Sequence, residues 1–380
     1  MSAELITGIS ELTTVDPESR VIPDAAVVIE RGEIVWIGPQ QSAPAADLRT
    51  DVGGRAMLPG WVDSHTHLVF AGDRSAEFVA RMAGEPYQAG GIGVTMSATR
   101  AASDQQLRDL IAARVRGAVQ GGTTCLEVKT GYGLSVAEEE RAARLAAEVT
   151  DEVTFLGAHL TPPGISTDDY VDLVCGPMLH AVQPHVKWAD VFCETGAFDV
   201  DQSRAVLAAC REAGLGLRVH GNQLGHSGGV RLAVEMGAAS VDHCNFLDAR
   251  DLERLGDSDT VATVLPACDL STRAPLAPAR ALLDAGATIA IASNCNPGTS
   301  YTTSMNFCVA TAVLQMELTL AEAITAATWG GAQALRREDV GRIIVGARAD
   351  LHVLDAPSAT HLAYRPGMPL THQVWRGGTN

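Results

Sequence analysis

Gly60-Trp61-Val62-Asp63-Ser64-His65-Thr66-His67 begins as a short apolar run and ends in two histidines one residue apart. Read as a strand over Val62–Val69, it turns alternate side chains to one face, so that Asp63, His65 and His67 point the same way. The plan recurs downstream. Apolar runs at Thr123–Lys129, Val153–His159, Ala189–Glu194, Gly216–His220, Ser240–His243, Thr260–Leu265 and Thr288–Ser293 alternate with amphipathic stretches. In Ser103–Gln120, for instance, Leu107, Leu110, Ile111 and Val115 recur on one face, and Ser103 with Gln106 reads as a capping box. Eight strands alternating with helices over roughly 280 residues predict an α/β fold, a (β/α)8 TIM barrel, whose usual size is about 250. A doubly wound sheet is the weaker alternative. No G-x-G-x-x-G follows an early strand, and Gly90-Gly91-Ile92-Gly93 reads as a loop lacking the third glycine.

The flanks differ from this core. Ala25–Glu30 and Glu33–Ile37 are β-rich runs around Arg31-Gly32, a hairpin signal. The tail carries similar short runs at Ala349–Leu354 and His372–Trp375. Two β-rich ends around one long core predict a small discontinuous β-sandwich domain from residues 1–57 and 341–380, with the barrel occupying 58–340.

Composition narrows the function classes. Lys and Arg number 28 against 45 Asp and Glu, a net charge of −17, which repels nucleic-acid phosphate and anionic lipid. No apolar run reaches the roughly 18 residues of a membrane-spanning helix. Met1-Ser2-Ala3-Glu4-Leu5 lacks the basic start and apolar core of a signal peptide, and the eight cysteines are scattered without a CxxC pair. The expectation is a cytoplasmic protein with reduced thiols, binding neither nucleic acid nor membrane; symmetry statistics favour a homodimer.

Candidate chemistry gathers at the predicted strand ends, where a barrel carries its active site. His159, His220 and His243 close the third, fifth and sixth runs, and with His65 and His67 they make five of eleven histidines so placed. Neutral imidazoles converging from several strands suit zinc or iron. His180, His185, His226, His352, His361 and His372 fall in helices, loops or the tail and read as ordinary packing or surface residues. Tyr132, between two glycines, reads as a functional side chain on an exposed loop. Arg74 reads either as a carboxylate clamp or as a surface salt bridge.

The start at Pro59-Gly60, the His-x-His pair, the later strand-end histidines and the tail Gly346-Ala347-Arg348-Ala349-Asp350-Leu351 together resemble the amidohydrolase superfamily. Five further segments are similar to its ring-opening branch in histidine degradation: His67–Arg74, Thr99-Arg100-Ala101-Ala102-Ser103, Glu127–Gly133 with its Lys-x-Gly-Tyr-Gly, Gly157-Ala158-His159 and Asn296-Pro297-Gly298. The resemblance implies hydrolysis of 4-imidazolone-5-propanoate to N-formimino-L-glutamate, a small substrate with a carboxylate, by a metal-activated water. It implies one Zn2+ or Fe2+/Fe3+ per chain, held by His65, His67, His220 and the residue at 294. No lysine lies in Asp190–Glu194, the strand-four run where binuclear relatives place a bridging carbamylated lysine, so a single metal is implied. His243 matches the histidine beside the activated water. Arg74, Tyr132 and His159 match substrate contacts, and Asn296, Gly298 and Thr299 match the loop that holds the ring.

Two positions depart from that pattern. The family's strand-eight aspartate is Asn294 here, an amide that is a weaker ligand and cannot accept a proton at neutral pH. An acid often found after the strand-five histidine is Gln223, which can still hydrogen-bond the ring. Both stay in the candidate catalytic set with His243. Three alternatives remain at this point: the ring-opening hydrolase, a relative acting on or deaminating another small ring, and a chain whose Asn294 lets it bind but turn over poorly.

Overall fold

Alternating apolar residues near the N-terminus form four strands, β1 (Glu4–Thr13), β2 (Val21–Glu30), β3 (Glu33–Pro39) and β4 (Leu48–Pro59), in a computed structural model that describes residues 3–84 and 91–380. Arg31 and Gly32 turn the β2–β3 hairpin with φ of 55° and 82°, the left-handed pair that matches strand twist. Eight parallel strands follow in sequence order around one sheet: β5 (Trp61–Asp63), β6 (Thr123–Lys129), β7 (Glu152–Ala158), β8 (Trp188–Cys193), β9 (Gly216–Gly221), β10 (Ser240–His243), β11 (Val261–Val264) and β12 (Ile289–Ile291). Then β13 (Leu351–Leu354) and β14 (Thr371–Trp375) return to the first sheet, whose order is β14-β13-β4-β1-β2-β3. Both termini thus build the small β-domain around its own core, including Ile6, Leu12, Val27, Ile29, Met57 and Trp375. The rest is a (β/α)8 barrel, as the alternation of runs predicts.

The first barrel strand is shorter than expected. Regular pairing ends at Asp63, and His65 and His67 lie just past it instead of within a strand reaching Val69. The reason is side-chain interference. The Glu127 carboxylate accepts the Thr66 N–H at 3.0 Å and the Thr66 hydroxyl donates to the Glu127 carbonyl, which breaks the regular ladder. The segment still closes the barrel, because Asn294 N donates to the His65 carbonyl at 3.0 Å and His67 N to that of Cys295 at 2.9 Å. Thr66 and Cys295 form a parallel bridge there, so first and last strands join at the histidine pair itself.

Four helices bear on the site: α1 (Ser75–Met82), α2 (Ile92–Ala101), α3 (Asp104–Gln120) and α4 (Val136–Ala147). Ser103 caps α3, accepting from Gln106 N while the Gln106 side chain accepts from Ser103 N. Ile92 and Gly93, expected in a loop, begin α2; Ile92 is buried with Phe70 and Tyr132, and that contact anchors the helix start. Gly90 lies outside the described residues. All eight cysteines are unpaired and seven are buried. No described helix is long and apolar enough to cross a membrane.

Candidate metal centre and active site

Five imidazoles meet at the C-terminal mouth of the barrel. His65 Nε2 lies 3.3 Å from His67 Nε2. The His65 ring centroid is 4.5 Å from that of His220 and 5.8 Å from that of His243, while His67 is 5.4 Å from His220 and stacks on His159 at 5.7 Å. His65, His220 and His243 each bring a ligand atom within 4.8 Å of the others. His243, expected beside the ion, belongs to this group, while His67, expected among the ligands, does not. His243 sits at φ 86° and Asn294 at 52°, in the left-handed region, which asparagine adopts readily and histidine at a cost of roughly 1–3 kcal/mol.

A tier of buried charges orients these rings. His65 Nδ1 bonds Asp242 Oδ2 at 2.6 Å and His220 Nδ1 bonds Asp190 Oδ2 at 2.9 Å. A carboxylate accepts only, so Nδ1 carries the proton and Nε2 is left with its lone pair, the arrangement of metal-binding histidines. Burial, reinforced by neighbouring Lys129, pushes the His65 pKa down to about 3. Burial likewise drives His67 and His243 well below the usual imidazole value and His159 to about 4. Rings kept neutral are ligands ready for a cation. Burial opposes ionisation of Asp242, but Arg218 and His65 outweigh it and hold the carboxyl well below its ordinary range. Asp63, under the pair, accepts from Ser293 N at 3.0 Å; burial raises its pKa to about 7.

The donors fit a cation. Besides the inward Nε2 atoms, the Asn294 Oδ1 is buried and has no hydrogen-bond partner, an orphan acceptor in the pocket wall. Gln223 lines the same pocket, its side-chain amide 4.0 Å from Cys268 Sγ.

On the opposite wall, Arg74 is buried, not at the surface, and its guanidinium is gripped by Glu77 through Nε at 2.8 Å and Nη2 at 2.7 Å. Gly298 leaves room for this guanidinium: a Cβ there would lie 2.4 Å from Nη1 and would push the arginine aside. Tyr132 lies in the wall too, but its loop is not exposed. The ring is 4% accessible and packs edge-on to Phe70 at 6.3 Å. His159 Nδ1 donates to the Gly131 carbonyl at 2.8 Å, which ties His159 to the Tyr132 loop. Asn296 is committed to its own turn, accepting from Gly298 N and Thr299 N, each at 2.8 Å, and donating to the Asn294 carbonyl at 2.7 Å. It shapes the loop, and Thr299 lines the pocket beside it.

Comparison with known proteins decides the lineage. Residues 56–379 match the amidohydrolase family. The chain belongs to the amidohydrolase family. Within it, this amidohydrolase is 67% identical to the imidazolonepropionase of Saccharopolyspora erythraea, over the whole chain and 98% of that protein. It is 66% identical to that of Arthrobacter sp. strain FB24, over 98% of each. The fold is shared with atrazine chlorohydrolase from Arthrobacter aurescens TC1 complexed with zinc (TM-score 0.76, 20% identity, 99% of this chain and 94% of that one). An adenosine deaminase from Xanthomonas campestris with bound zinc is similar (TM-score 0.75, 20% identity, 99% and 92%). Family and imidazole cluster together make this a hydrolase that uses a divalent metal.

Several residues of this amidohydrolase escape a reading from motifs. Glu139, in the first turn of α4, accepts from Gly131 N, Gly133 N and Leu134 N at 3.0, 2.7 and 2.8 Å and so fixes the Tyr132 loop. Arg114 on α3 donates to the Leu68 and Phe70 carbonyls at 2.7 and 2.8 Å and holds the chain that leads to Arg74. Nothing local announces either. Glu127, Lys129, Asp190, Arg218 and Asp242 did carry a signal: charges inside apolar strands must be paired or bound.

Proposed function

We propose that this chain hydrolyses 4-imidazolone-5-propanoate to N-formimino-L-glutamate, the ring-opening step of histidine degradation. The observation that carries the reading is the meeting, in one pocket, of the imidazole cluster with Arg74 and Tyr132; the name shared by full-length relatives supports it. His65, His67, His220 and the Asn294 amide oxygen would hold one zinc or iron ion. When bound, such an ion polarises a carbonyl and lowers the pKa of coordinated water from about 15.7 toward about 7.

The chain's own residues do the rest. Arg74 and the Tyr132 hydroxyl bind the propionate, which fixes the ring over the imidazoles. Water adds to the ring carbonyl carbon and the C–N bond breaks. His243, neutral and adjacent, takes the proton released on attack and returns it to the departing nitrogen. It has that task because the amide of Asn294 cannot accept a proton. His159 and Gln223 hydrogen-bond the ring, while Asn296, Gly298 and Thr299 shape the loop beneath it. A homodimer in the cytoplasm completes the proposal; sedimentation of the purified protein tests the dimer.

Freshly generated imidazolonepropionate should lose its ring chromophore with the enzyme and keep it once a chelator has stripped the metal. Absence of turnover by folded, metal-loaded protein refutes the assignment. The orphan Asn294 oxygen favours one second reading, a chain that binds the ring yet opens it slowly; tight binding with slow chromophore loss would distinguish it.

A further inference from the structure

Below the imidazoles, a second set of donors faces one point. Asp190, His220 and Asp242 bring ligand atoms within 4.8 Å of one another, two carboxylates and an imidazole in a fully buried place. That chemistry suits a divalent ion. A cation already stands there. The Lys129 Nζ is 2.8 Å from Asp190 Oδ2, 2.8 Å from Glu127 Oε1 and 3.6 Å from Asp242 Oδ2, and none of these side chains is accessible to solvent. Arg218 approaches Asp242 at 3.5 Å from the far side. Three carboxylates against Lys129 and Arg218 leave one net negative charge among these five side chains under the imidazoles.

We propose that the Lys129 ammonium is the resident cation of this lower pocket and thereby limits the chain to a single metal ion. With Lys129 in place, Asp190 and Asp242 turn an oxygen to the His220 and His65 Nδ1 atoms and orient these rings instead of ligating. Lys129 is then a positioning residue, acting on the centre through the two aspartates. Without the ammonium, the tier carries a further uncompensated negative charge in a dry interior. The nearest remedy is a second divalent ion on the same oxygens. The inference rests on the metal-dependent reading above.

The test is metal stoichiometry. Wild type, Lys129→Ala, Lys129→Arg and the double variant Lys129→Ala/Asp190→Asn are incubated with excess Zn2+ or Co2+, desalted and assayed by elemental analysis. Co2+ absorption reports the coordination. Wild type and Lys129→Arg should saturate at one equivalent, Lys129→Ala should take up a second with a new Co2+ band, and the double variant should return to one. Lys129→Ala holding no more than wild type overturns the proposal, as does a wild type that loads two equivalents. A folded wild type that holds none refutes instead the metal-dependent reading beneath it. Should Lys129→Ala not fold, Lys129→Gln keeps the side-chain volume. Excess Zn2+ should then raise its melting temperature by several degrees more than that of wild type, and equal shifts overturn the proposal.

Discussion

In the proposed reaction Asn294 belongs to the metal grip and Arg74 to the substrate grip, and each can be altered alone. Asn294 leaves a neutral oxygen without a hydrogen bond in the pocket that the imidazoles line, where a carboxylate would add charge. Asn294→Asp should tighten metal binding by at least about tenfold, the scale on which groups around a metal shift its affinity. It should also raise turnover, because a second proton acceptor appears. Chelator competition and initial rates check both, and unchanged values would mean that the amide serves neither purpose. Arg74→Ala removes a buried charge-assisted pair with the substrate carboxylate, a loss of about 2–3 kcal/mol or roughly 30- to 150-fold in kcat/KM. Metal content should stay the same, since Arg74 is held at the start of α1 by its pair with Glu77. A metal-free Arg74→Ala protein would contradict that separation.

At the scale of elements, the loop after β6 shows how a helix start can build a binding wall. The Glu139 carboxylate receives three backbone N–H groups, and a glutamine offers a single acceptor oxygen and presents its NH2 to donors. Glu139→Gln should lower stability by about 1–3 kcal/mol and raise KM more than it lowers kcat, because Tyr132 loses its fixed position. Denaturant melts and steady-state kinetics measure this; an unaltered KM rules it out. The same loop marks the limit of reading from sequence. Lys-Thr-Gly-Tyr-Gly pointed to Tyr132, but the exposure expected for it failed, since burial depends on Phe70 and Ile92, which approach from elsewhere in the chain. Strand periodicity placed β6 and β10 correctly. It overextended β5, whose end is set by the Glu127 side chain from a neighbouring strand and not by any local residue. The histidines were legible because chemistry needs them at strand ends. The carboxylates that orient them were visible only as charges lacking an obvious purpose.

For the molecule as a whole, the alternation of runs and the β-rich flanks predicted the architecture, while the joining of the two ends depends on contacts nearly three hundred residues apart, Leu351 against Pro59 and Val353 against Met57. His352 lies in that joint, fully buried, its ring edge-on to Trp61 at 5.4 Å and its Nε2 on the Thr371 hydroxyl at 2.8 Å. Burial lowers its folded pKa to about 3 from 6.5, so the unfolded chain binds the extra proton between those values. Stability from this neutral ring is complete above pH 6.5 and falls as the pH drops toward 3, by up to about 1.4 kcal/mol per pH unit. His352→Gln should flatten the dependence of unfolding free energy on pH between 6.5 and 4.5. Parallel curves for the two proteins would exclude His352 as a source of acid sensitivity.

The seam between the first and last barrel strands carries a kinetic corollary. His65 and His67 stand on one lip of it and Asn294 on the other, tied by the backbone bond from Asn294 to His65. Until that seam closes, a refolding chain holds its imidazoles without the Asn294 oxygen on the other lip. Regain of catalysis is therefore expected no earlier than closure of the seam, and it should lag behind the return of helical dichroism.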